Sequence, residues 1–124
     1  MPERILVDTS VWVSHLRDGN LRLVQLLEEG GVVIHPFIIG ELACGNLKNR
    51  AEILSLLRAL PSALIAEQEE VMLLVESKLL MGKGLGYVDV HLLAASFLSN
   101  VRLWTNDRSL AKASADLELG WDST

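Results

Sequence analysis

Residues 4–10 read Arg-Ile-Leu-Val-Asp-Thr-Ser. Three branched apolar residues in succession, with no polar alternation, read as a strand buried on both faces, the kind found inside a parallel sheet. Asp8, Thr9 and Ser10 then close the run with residue types that favour a helix N-terminus over continued extension. The stretch therefore predicts a strand that delivers the chain straight into a helix, the opening half of a β-α-β unit.

The rest of the chain repeats that alternation. A first helix over 10–17 stops at Asp18-Gly19-Asn20, and Leu21, Leu23, Val24, Leu26 and Leu27 give a second, amphipathic one ended by Gly30-Gly31. Residues 32–34 (Val-Val-Ile) form a second buried strand. His35-Pro36 turns it into a helix whose first turn tolerates proline, and that helix carries Glu41. A helix over 48–60 ends before Pro61, the apolar run 63–66 reads as a third strand, and 69–81 as a helix broken by the glycines of the 82–86 loop. A strongly helical stretch over 88–98, a last strand over 101–104, a helix over 108–115 and a short ending at 117–121 complete the reading. Strands separated by helices imply an α/β fold with a central parallel sheet and helices on both faces.

A length of 124 residues suits one domain over 1–124, with half the residues hydrophobic and 22% charged, a composition that excludes intrinsic disorder. Cys44 stands alone, so no internal disulfide is possible and a reducing cytoplasm is the expected location. The first residues lack the apolar core of a secretory signal, and no apolar stretch approaches the ~20 residues of a membrane span. A net charge of −5 argues against a nucleic-acid partner unless the acids are concentrated in one place.

Open α/β sheets form their crevice at the carboxyl ends of the strands, and acids stand there. Asp8 follows the first strand, Asp107 follows the last by way of Thr105 and Asn106, Glu41 lies in the helix after the second, and Asp89 opens the long helix after the glycine loop. Asp8, Asp89 and Asp107 each have helix capping as a competing explanation. Glu41 does not: its helical neighbours Phe37, Ile38, Cys44 and Gly45 put it on an apolar face, with no Lys or Arg within a turn. Such an acid needs a partner distant in sequence, and a metal shared with other carboxylates is one solution. His15, His35 and His91 lack ligand spacing and are assigned no chemistry, Cys44 reads as a small buried hydrophobe, and the loop GKGLG matches neither nucleotide-binding glycine pattern.

Four segments in order, ILVDTSVW, HPFIIGELACG, GKGLGYVDVHLLAAS and VRLWTNDRSLAKAS, resemble the PIN domain, and within it the VapC toxin branch of bacterial toxin–antitoxin pairs. The resemblance spans nearly the whole chain, as a single PIN-like domain. It implies a metal-dependent endoribonuclease whose acidic pocket is carried by Asp8, Glu41, Asp89 and Asp107, as catalytic residues and metal ligands, with Ser10, Thr105 and Asn106 as polar supports. It also implies products with a 5′-phosphate and a 3′-hydroxyl, a cognate antitoxin protein and a homodimer.

A site without paired His or Cys suits Mg²⁺ or Mn²⁺ rather than zinc. With four of the 16 acids assigned to the site, 12 remain against 11 bases, so the rest of the surface has room for basic patches. Arg17, Lys83, Arg108 and Lys112, close in sequence to the motifs, are the candidate RNA contacts; the competing explanation is solvated surface charge. Two other classes compete. An aspartate-based phosphoryl-transfer or receiver-like domain would need a second acid where Ser10 stands, or a late strand followed by lysine. A non-catalytic RNA- or protein-binding module would use the acids as caps.

Overall fold

The structure is a computed structural model that describes residues 3–123. Three strands, β1 (Ile5–Val7), β2 (Val32–Val33) and β3 (Arg102–Trp104), form a parallel sheet in the order β2-β1-β3. Around it lie α1 (Thr9–Asp18), α2 (Leu21–Glu28), α3 (Pro36–Ala43), α4 (Arg50–Arg58), α5 (Gln68–Ser77), α6 (Tyr87–Ser99) and α7 (Arg108–Asp116). Ile5, Leu6 and Val7 are wholly buried, as a central strand covered on both faces requires.

Strand order locates the crevice. The chain passes from β1 to β2 through α1 and α2, then returns past β1 through α3 to α6 to reach β3 on the other edge. α3 and α4 pack back against α1 and α2, whereas α5 packs on α6 and α6 against β3. Between β1 and β3 the direction of winding reverses, and the carboxyl ends of these strands flank the opening that results. The register pairs Val7 with Trp104, and the ladder continues one residue further where the Asp8 N–H donates to the Trp104 carbonyl at 2.8 Å.

Local chemistry sets most helix ends. After α2, the N–H groups of Gly30 and Gly31 donate to the carbonyls of Leu27 and Leu26, the Schellman arrangement, with Gly30 at φ +73°. At α3, Pro36 occupies the first turn and the His35 ring caps it, Nδ1 accepting from the Phe37 N–H at 3.0 Å.

Residues 63–66 are not a strand. Ser62 makes a single parallel bridge with Ile34, after which Leu64 donates its N–H to the Ser99 hydroxyl and Leu64 and Ile65 turn outward to solvent. Two helices are shorter than the sequence suggests. Asn49, left-handed at φ 54°, delays α4, and Leu79, at φ 53°, terminates the turn after α5. Gly120 bridges Leu103, so the ending at 117–121 extends the β3 edge by one residue.

Candidate active site

Asp8 stands at the crevice, only 6% exposed. It occupies the N-cap position of α1, yet its side chain makes no capping bond. Its Oδ2 instead accepts two hydroxyls, Ser10 Oγ at 2.9 Å and Thr105 Oγ1 at 2.7 Å. Each hydroxyl in turn accepts a backbone N–H from the loop after β3: Asn106 donates to Ser10 at 2.9 Å and Asp107 to Thr105 at 3.0 Å. Because the carboxylate can only accept, both hydroxyl protons point toward Asp8. Asn106 therefore supports the acid through its backbone, whereas Ser10 and Thr105 do so through their side chains.

Asp107 and Asp89 each have one oxygen engaged in a helix end. Asp107 caps α7, its Oδ2 accepting the Leu110 N–H at 3.0 Å. Asp89 is the third residue of α6, where its Oδ2 accepts the Gly86 N–H at 2.9 Å, rather than the residue that opens the helix. Burial raises the pKa of Asp89 above the ordinary value; the Gly86 bond opposes this, and the negative charges of Asp8 and Asp107 raise it further. The three acids thus share one electrostatic neighbourhood.

Glu41 is exposed rather than set in an apolar face, because its neighbours Cys44 and Gly45 lie where α3 ends at the surface. Its partner is distant in sequence: Thr9 Oγ1 donates to Glu41 Oε1 at 2.6 Å, across 32 positions. The guanidinium of Arg50 donates to the carbonyls of Ala43 and Gly45 and so holds the end of the helix that presents Glu41. Thr9 is a residue that the sequence reading passed over; only its place beside Asp8 could have singled it out.

None of Asp8, Glu41, Asp89 and Asp107 forms an ion pair with a Lys or Arg among the described residues. Nor, among those residues, do three His, Cys, Asp or Glu side chains stand at mutual metal-holding distance. The donor chemistry nevertheless fits a hard divalent cation, since carboxylate and hydroxyl oxygens make up the set and like charges meet without a cation from the chain.

The basic candidates separate. Lys83, Arg108 and Lys112 line one groove beside α7. Arg17 lies on another groove with Glu41 and is paired with Asp18 at 2.9 Å. Cys44 is exposed, contrary to the expectation of a buried hydrophobe, because it caps the surface end of α3. His35 and His91 face each other at 6.5 Å within a cluster that includes Phe37 and Tyr87. No helix of the described residues is long and apolar enough to cross a membrane.

The PIN domain family model matches residues 5–116. The chain is 44% identical over 113 residues to Ribonuclease VapC32 of Mycobacterium tuberculosis (strain CDC 1551 / Oshkosh), covering 90% of this chain and 91% of that protein. The same figures hold for the protein of that name from strain ATCC 25618 / H37Rv. Among solved structures, the crystal structure of PAE2754 from Pyrobaculum aerophilum has the same fold, with a TM-score of 0.60 at 16% identity, covering 89% of this chain and 78% of that one.

Proposed function

The chain belongs to the PIN-domain family, and on that premise we propose that it is a metal-dependent endoribonuclease of VapC type, the toxin of a toxin–antitoxin pair, hydrolysing RNA at Asp8, Glu41, Asp89 and Asp107. The observation that carries this reading is Asp8. A nearly buried carboxylate where the winding of the sheet reverses, held by one hydroxyl from the first turn of α1 and one from the loop after β3 and spared from capping, is built to present charge.

A bound Mg²⁺ or Mn²⁺ supplies an acidified water and neutralises charge developing on the phosphate oxygens. The chain's own residues do the rest. Ser10 and Thr105 pin one oxygen of Asp8, so its orientation does not relax when substrate arrives. Asp107 and Asp89 are fixed by the helix ends they join, which keeps like charges together that would otherwise move apart. Thr9, next to Asp8 in the chain, holds Glu41 of α3 through its hydroxyl. A cognate antitoxin is the protein partner this reading implies, and a homodimer its assembly.

The test is cleavage of single-stranded RNA by the purified chain. Endonucleolytic products are expected with Mg²⁺ or Mn²⁺, and none with chelator or with Asp8→Asn. Binding of RNA without metal-dependent cleavage under any of these conditions would make the chain a binding module, with the acids as structural groups.

A further inference from the structure

Charge is distributed unequally around the acids. A groove of about 610 Å³ runs between the 82–86 loop and α7, lined by Lys83, Arg108, Ser109, Lys112 and Asp116 among others. The loop leads into α6, whose third residue is Asp89, and α7 follows its cap Asp107, so both walls of the groove continue into segments that carry an acid. Lys112 is engaged with Asp116, four residues along the helix, at 3.6 Å. Lys83 and Arg108 are exposed and form no ion pair among the described residues. Two uncompensated cations in one groove stand out in a chain of net charge −5. The groove beside β3 differs, since Arg102 there is accompanied by Glu118 and Asp122.

Backbone geometry places Lys83. Gly82 and Gly84, at φ +72° and +76°, flank it in conformations that other residues rarely adopt. A Cβ on Gly84 would stand 2.9 Å from Ser109 Oγ, so the loop rests directly on the first turn of α7, the turn that carries Arg108. The glycines bring a lysine from one segment alongside an arginine from another.

We infer that this groove holds the phosphates of a single-stranded RNA on one side of the bond to be cut, with Lys83 and Arg108 as its contacts. The inference rests on the ribonuclease reading and gives the substrate a direction: the strand leaves the acids along α7. Repulsion between the acids and the RNA backbone is offset where the two cations stand, and each phosphate they neutralise releases counterions. Lys112 contributes less, because its charge is already shared with Asp116.

The experiment is fluorescence anisotropy with a labelled single-stranded oligoribonucleotide and the full chain in chelator, so that nothing is cut, from 50 to 200 mM NaCl. Lys83→Ala and Arg108→Ala should each weaken binding, and the double variant should flatten the slope of log K against log salt by roughly 1.4, two contacts at ~0.7 each. Lys83→Arg should restore affinity. Gly84→Ala leaves every charge in place but lifts the loop from α7, and should also weaken binding, whereas Lys78→Ala beyond α5 should not. Wild-type affinity and slope in the double variant, or no binding even at 50 mM salt, would overturn the groove while leaving metal-dependent cleavage to be judged separately. A chain that binds through Lys83 and Arg108 yet never cuts RNA with Mg²⁺ or Mn²⁺ keeps the groove and loses the nuclease.

Discussion

Thr9 donates its hydroxyl to the Glu41 carboxylate at 2.6 Å, joining the first turn of α1 to α3. Asp8, Thr9 and Ser10 thereby have three different tasks: Asp8 offers a carboxylate, Ser10 orients it, and Thr9 secures an acid from another segment. Thr9→Val keeps the shape and removes the donor. It should lower the cleavage rate about tenfold and stability by no more than about 1 kcal/mol, the net worth of one hydrogen bond near solvent. Thr9→Ser should restore both. Cleavage kinetics and thermal melts of the two variants check this, and an unchanged rate in Thr9→Val would remove Glu41's anchor from the mechanism.

Asp8→Asn should abolish cleavage without loss of fold. The amide oxygen can still accept from Ser10 and Thr105, and the repulsion that Asp89 feels from Asp8 disappears. The metal-free variant should match the wild type in stability or exceed it by up to about 1 kcal/mol. Denaturant unfolding in chelator measures the difference. A large destabilisation would mark Asp8 as structural.

The order of the elements is legible in the sequence because β1 and β2 are unbroken branched runs, β3 ends on the buried Leu103 and Trp104, and helices separate them. The run 63–66 looks no different, yet only Ser62 bridges the sheet, because the pairing is decided by where Pro61 and Ser99 stand in space. The acids are likewise legible one by one. Their relation is not: Thr105 reaches Asp8 across 97 positions and Thr9 reaches Glu41 across 32, distances no local pattern encodes. The apolar neighbours of Glu41 do not bury it, because helical spacing shows which residues share a face but not where that face runs out onto the surface.

A divalent cation should stabilise the folded chain, since only folding brings Asp89 into the field of Asp8 and Asp107. At an ion concentration 100 times the dissociation constant the gain should be about 2.7 kcal/mol. Glu41→Gln should shrink that gain and cut activity heavily while the fold persists, because the amide still accepts from Thr9 but lacks the charge. Melting curves with and without Mg²⁺ or Mn²⁺ decide it, and an equal shift in wild type and variant would place the ion elsewhere.

His35 gives the fold an acid limit. It is fully buried, its Nδ1 accepts the Phe37 N–H that begins α3, and burial, with His91 adding to it, lowers its pKa from 6.5 to about 4. Protonation would consume the capping lone pair and place a charge in the core. Between pH 6.5 and about 4 the unfolded chain takes up a proton that the folded chain refuses. The stability His35 contributes is therefore complete above 6.5 and is lost as pH falls through this window, by up to about 3 kcal/mol at 1.36 kcal/mol per unit. His35→Asn retains a side-chain acceptor for the cap without a titrating group. Unfolding free energies from pH 7.5 to 4 should fall steeply in the wild type and less steeply in the variant, and parallel slopes would show that another group sets the acid limit.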